Sequence, residues 1–182
     1  MPKLTQVKET KRGRYALFFD GEFAFSLDED TFAMAGLHTG DELEEWQIHD
    51  LQTKSDTRKA VDKAMDLLAL RDHAAGELYQ KLCRSFDPHS AAAAVAKMQE
   101  LNLLDDAGFA RRRAAELLRK RKSRRAILDD LHAKGIDRGA AAEAVEALFA
   151  QSEEDEEENP ELANARALVE RHYAAKLAQG KW

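Results

Sequence analysis

Between Phe109 and Arg125, nine of seventeen residues are lysine or arginine, and Glu116 is the one carboxylate among them. The nine are Arg111, Arg112, Arg113, Arg119, Lys120, Arg121, Lys122, Arg124 and Arg125. Their shared chemistry is anion binding. A guanidinium keeps its charge and offers a planar fork that can make paired hydrogen bonds to phosphate or carboxylate oxygens. A run this dense repels itself and weakens the folded state unless something compensates it. It therefore reads as a surface for DNA phosphates, for acidic patches on a protein assembly, or for both. A solvated face with no partner is the competing reading, and the density of charge argues against it.

Catalytic chemistry finds little to work with. The histidines at 38, 49, 73, 89, 132 and 172 are scattered without metal-ligand spacing. Asp105-Asp106 and Asp129-Asp130 are adjacent pairs, whose members point in different directions on a helix. Cys83 is the only cysteine, which excludes an intramolecular disulfide and a thiolate metal cluster. No GxxxxGK, GxGxxG, HExxH or GxSxG motif occurs. The chain reads as a non-enzyme without metal or cofactor. It has no apolar run of membrane-spanning length, and its first residues MPKLTQVKET carry no leader-like apolar core. A soluble, cytoplasmic and monomeric protein is the expectation.

The formal net charge of −6 hides a segregation. Residues 1–50 carry 5 basic and 11 acidic side chains, whereas residues 109–150 carry 11 basic and 6 acidic ones. With a screening length of about 10 Å, the basic cluster can act on a partner despite the distant carboxylates.

The elements that must position this cluster are mostly helical. In front of them, RYALFF-DG-EFAFSL reads as a hairpin, because Asp20-Gly21 suits the positive φ angles of a two-residue turn. That register sets Phe18 against Phe23 and Ala16 against Phe25. LTQVKE (4–9) can add a third strand. A short helix from Asp28 to Ala35 is stopped by Gly36, and a second begins near Gly40-Asp41 and passes Trp46. From Ser55 or Asp56, as cap candidates, the pattern turns continuously helical. Leu78, Leu82 and Cys83 fall on one stripe. Asp87 is the expected cap of a helix with Pro88 in its first position, and Asp105 of the basic helix. On that helix Ala110, Ala114, Leu117 and Leu118 face inward, with Arg112, Arg113, Arg119 and Lys120 on the opposite arc. Ser123 is set to cap the next helix, Gly135 to stop it, and Asp137 to cap the one after.

The helices repeat. Leu78–Leu82 corresponds to Ile127–Leu131 at an offset of 49 residues. Asp87, Ala91, Ala94, Val95 and Met98 correspond to Asp137, Ala141, Ala144, Val145 and Leu148 at an offset of 50. The extra residue falls in a turn, where repeats absorb changes, and stacked amphipathic units can close a shared core. The expected fold is α+β but predominantly α: an elongated array of three-helix repeats behind a small β-hairpin or β-sheet unit with short helices. Its divisions are a β-containing domain (1–52), a first repeat (53–105), a second repeat (106–150), an acidic linker (151–159) and the first helix of a truncated third repeat (160–182). In that last helix Leu162, Ala165, Val169, His172, Tyr173 and Leu177 are expected on a packed side.

These phrases together resemble the RecX family of regulatory proteins, modulators of the RecA recombinase. The resemblance rests on ALRDHAAGELYQKL (69–82), MQELNLLDDAGFARR (98–112) and RRAILDDLHAKGID (124–137), with RYALFFDGEFAF and GLHTGDEL matching an N-terminal extension. Ala74 stands where the family often has Ser or Thr. That removes the capping-box partner of Glu77 and predicts a looser turn. What the resemblance implies is a non-catalytic protein that binds RecA and RecA filaments on single-stranded DNA. It would inhibit ATP hydrolysis and strand exchange, or promote filament disassembly. The basic helix alone is also compatible with a nonspecific DNA-binding module that needs no RecA.

Overall fold

The structure, a computed structural model, describes residues 1–155 and 160–178. Three antiparallel strands, β1 (Leu4–Glu9), β2 (Arg14–Phe19) and β3 (Glu22–Asp28), pair in the order β1-β2-β3. Eight helices follow among the described residues: α1 (Glu29–Ala35), α2 (Glu45–Leu70), α3 (Ala75–Leu82), α4 (Pro88–Glu100), α5 (Asp106–Arg119), α6 (Arg124–Ala133), α7 (Arg138–Asp155) and α8 (Pro160–Ala178). The fold is α+β and predominantly α, with three-helix repeats behind a small sheet. Two compact units make it up. One comprises Met1–Arg71 and Leu78–Leu103; the other comprises Asp72–Glu77 and the chain from Leu104 onward.

In the first unit, Asp20 (φ 49°) and Gly21 (φ 85°) make the tight turn that their types dictate. Phe18 faces Phe23 as expected, but Leu17 faces Phe25 and Ala16 faces Ser26. The expected Ala16–Phe25 pairing fails because a bulge leaves Ala24 unpaired and shifts the register by one. The shift matters to the core: Leu17, Phe25 and Leu27 are buried together with Leu4, Phe19, Leu43 and Leu51. Asp28 caps α1 through the Thr31 amide, and Gly36 ends it at φ 59°.

The second short helix expected near Gly40 is absent; α2 instead runs unbroken from Glu45 to Leu70. Gln47 starts it by accepting the Glu44 amide (2.9 Å) through Oε1. Ser55, a cap candidate from sequence, lies mid-helix and buried. Its hydroxyl donates to the Ser26 carbonyl and accepts from Arg14 Nη2, stapling α2 to β3. The helix thus crosses residue 53, where the sequence pattern alone starts the first repeat. Small buried residues, Ala60 and Ala64 on α2 with Ala91 and Ala94 on α4, let these helices pack closely. Asp87 caps α4 through the Ser90 amide, and the Ser90 hydroxyl, helped by that amide, holds its carboxyl below the usual range. Cys83 lies just beyond α3 and is exposed, not on the buried stripe with Leu78 and Leu82.

The second unit buries Ala110, Ala114 and Leu117 of α5 against Ile127 and Leu131 of α6 and Ala141, Val145 and Phe149 of α7. Each apolar repeat-related pair is buried in both members except Met98/Leu148, where Phe149 takes the deep position in the second repeat. Asp105, Ser123 and Asp137 each cap the helix that follows, through the amides of Gly108, Ala126, and Gly139 with Ala140. The segment 72–77 belongs to this unit. The turn at Ala74 is not loose: Asp106 Oδ1 accepts the Ala75 amide (2.8 Å), supplying from α5 the cap that alanine lacks. Glu77 accepts from Lys134 Nζ (2.9 Å) and sits 3.0 Å from His73 Nδ1. Gly76 and Gly135 touch backbone to backbone: a Cβ on either would lie 2.7 Å from the other's Cα. Only glycine fits both sides of that contact.

α7 extends to Asp155, five residues into the acidic run assigned to a linker, since glutamate is a good helix former. Residues 156–159 and 179–182, parts of the expected linker and third repeat, lie outside the described residues, as does the Leu177 side chain. Among the described residues of α8, Leu162, Val169 and Tyr173 are half exposed or more, where burial is expected from the sequence.

Candidate anion-binding surface

The nine basic residues occupy α5, the turn after it and the first turn of α6. Packing of Ala110, Ala114 and Leu117 fixes the rotation of α5. At about 100° per residue, Arg112 and Arg119 lie within about 20° of each other on the outward arc, and Arg111 about 80° away. Arg111, Arg112 and Arg119 are all exposed.

Arg113 is different. It is half-buried and turned toward α6, donating from Nε to Asp130 Oδ2 (2.8 Å) and from Nη2 to Asp130 Oδ1 (2.9 Å). Nη1 donates to Glu116 Oε2 (3.1 Å). The paired bond from Arg113 holds the Asp130 carboxyl below its usual range, and Asp130 in turn raises the Arg113 guanidinium further above its own. Arg113 thus clamps α5 to α6 and does not share the outward arc expected of it.

Other members are partly occupied. Lys120 bonds to Glu116 Oε1; this bond and that from Arg113 hold the Glu116 carboxyl low. Arg112 reaches Asp72 at 3.0 Å, with both side chains mostly exposed, a geometry that contributes little to stability. The Arg124 guanidinium lies 4.7 Å above the Phe149 ring, with its Nε 3.8 Å from Glu161. Arg125 is 93% exposed and 4.0 Å from Asp129.

Arg111, Arg119, Arg121 and Lys122 remain. All four are exposed, and among the described residues none forms an ion pair. The structure therefore sorts one sequence cluster into a clamp, a group of partly neutralised cations and four open ones. The partners Asp72, Asp130 and Glu161 lie on other elements, so spacing along the chain carries no local signal for these pairs. The left-handed backbone of Arg121 (φ 58°) is likewise silent in the sequence, because arginine is not a residue type that marks a helix stop.

An open groove of about 690 Å³ in the first unit is lined by Trp46, His49, Asp50, Asp56, Asp87 and His89, among others, with no lysine or arginine. Among the described residues no three His, Cys, Asp or Glu side chains are grouped to hold a metal ion, and no helix is long and apolar enough to cross a membrane.

No family model matches the chain. Relatives do. A regulatory protein RecX of Lactobacillus gasseri is 31% identical over 180 residues, covering 98% of this chain and 65% of that protein. A regulatory protein RecX of Caldanaerobacter subterraneus subsp. tengcongensis is 27% identical over 151 residues, covering 82% of this chain and 77% of that one. The chain spans from about half to about three quarters of the length of such relatives. A crystal structure of regulatory protein RecX superposes with a TM-score of 0.66 at 21% identity, over 98% of this chain and 85% of that one. RecX from Lactobacillus salivarius gives 0.55 at 18% identity, over 68% of this chain and 76% of that one. The helical repeats, the small sheet in front of them and these sequence likenesses lead to one conclusion: the chain belongs to the RecX family of regulatory proteins.

Proposed function

We propose that the chain is a non-catalytic regulator that binds RecA and RecA filaments on single-stranded DNA, inhibiting ATP hydrolysis and strand exchange or promoting filament disassembly. Family membership supports the regulatory role. The observation that carries the binding surface is the set of open cations, Arg111, Arg119, Arg121 and Lys122, exposed beside cations that are paired, Arg113 with Asp130 and Lys120 with Glu116. A filament on DNA offers both phosphates and protein carboxylates, and these four residues suit either. Arg112, Arg124 and Arg125 join the surface when their exposed or distant carboxylates are displaced. Arg113 and Lys120 set its geometry.

The test is RecA's DNA-dependent ATP hydrolysis with increasing amounts of this protein. A saturable fall in rate, absent when the four open cations are changed together to alanine, is the expected outcome. Hydrolysis unchanged at saturating wild-type protein contradicts the proposal. A second reading, a DNA-binding module independent of RecA, is favoured by the absence of exposed large apolar side chains between Arg111 and Arg125. It predicts equal affinity for free strands and filaments, whereas the regulator binds filaments more tightly.

A further inference from the structure

The turn between α5 and α6 holds Arg121 at φ 58°. Its amide donates to the Leu118 carbonyl (2.8 Å) and the Lys122 amide to the Leu117 carbonyl (3.0 Å). The same pair of bonds closes α4 around Asn102 (φ 54°) and α6 around Gly135 (φ 80°). Glycine has no Cβ to oppose this left-handed backbone, and asparagine tolerates it. Arginine is a poor choice at the third of three equivalent stops. No contact among the described residues explains it: Arg121 is exposed, with no carboxylate partner there. It stands between two more open cations, Arg119 and Lys122, in a stretch without exposed large apolar groups. A protein interface usually has an apolar centre, whereas a nucleic-acid backbone needs charge alone. Strained backbone conformations persist where function requires them.

We infer that Arg121 anchors the basic surface on the phosphodiester backbone of a single strand, and that the chain keeps arginine there although it destabilises the turn. The inference rests on the regulatory reading above and names which contact, made by which residue, that reading uses.

The test uses the full chain and its variants Arg121→Gly and Arg121→Lys. Thermal unfolding is measured beside binding to a fluorescent poly-dT strand over a salt series, and beside binding to preformed RecA–poly-dT filaments. Arg121→Gly is expected to raise the melting temperature by roughly 2–4 °C. It should bind the free strand about tenfold more weakly at low salt. The slope of log affinity against log salt should flatten by about 0.7, the value of one lost phosphate contact. Arg121→Lys should keep the slope and gain no stability. A wild-type chain that does not bind the strand, an Arg121→Gly variant with unchanged slope, or one with no gain in stability would each overturn the inference. If Arg121→Gly loses filament binding but keeps the free-strand slope, the residue meets protein carboxylates, and the phosphate assignment fails while the regulatory reading stands. If wild-type protein neither binds filaments nor alters RecA's ATP hydrolysis, the regulatory reading fails whatever the strand shows.

Discussion

The helices α2 and α5 open two repeats built on the same plan, yet their outer faces are opposite in character. On α2 three of the four cations are answered within a turn, Lys54 by Asp50 (2.8 Å), Arg58 by Asp62 (3.3 Å) and Lys59 by Asp56 (3.1 Å), and among the described residues Lys63 alone is left open. On α5 Arg111 and Arg119 have Ala115 between them, four residues from each, where α2 would place a carboxylate. Local pairing of this kind stabilises a helix by only a few tenths of a kcal/mol per pair, so its absence scarcely affects folding. It does affect the field, which on α5 is left open to a partner. Architecture is shared between the repeats; the external charge is not.

The comparison can be tested at several depths. The largest effect is expected from the buried positions the repeats share. Leu82→Ala and Leu131→Ala should each destabilise by about 2–5 kcal/mol in denaturant melts, because both side chains are fully enclosed. A marked inequality would mean that the two repeats do not use equivalent positions alike. Next comes the clamp. Arg113→Ala leaves Asp130 half-buried without its paired donor and should cost about 1–3 kcal/mol. Asp130 has a lowered carboxyl pKa when folded, so the clamp's contribution is full above its ordinary value of 3.8 and lost as pH falls through the lower folded value. Wild type and Asp130→Asn should therefore converge in stability only in strong acid. Convergence already near neutrality would contradict the clamp.

Smaller still in stability, but sharper in meaning, is Ala115→Glu. It places a carboxylate four residues from both Arg111 and Arg119, giving α5 the pattern of α2. Stability should move by less than about 0.5 kcal/mol, while filament binding weakens several-fold at low salt. Arg112→Ala, which loses an exposed pair with Asp72, should shift stability by less than about 1 kcal/mol.

Much of this was legible in the residues. Asp20-Gly21, Gly36, Asp87, Asp105 and Gly135 mark their turns and caps because each type has a local physical reason to be there. What was not legible came from contacts distant in sequence. The Ala75 cap from Asp106 spans 31 residues, and no capping motif near Ala74 announces it. The long α2 was hidden because Ser55 resembles a cap, while its hydroxyl serves the Ser26 carbonyl on the sheet. Cys83 shows a related limit: helical periodicity places it inward beside Leu82, but α3 ends at Leu82 and the thiol is exposed. Within the basic cluster the residue types suggest anion binding, but carry no sign that Arg113 faces inward.

The most direct measurement is the affinity for RecA–single-stranded DNA filaments of a variant with Arg111, Arg119, Arg121 and Lys122 all changed to alanine, beside wild type at two salt concentrations. With helicity unchanged by circular dichroism, the variant should bind at least about a hundredfold more weakly at low salt and show little of the wild-type salt dependence. Equal affinity and equal salt dependence in the two proteins would contradict the claim that these open cations are the binding surface.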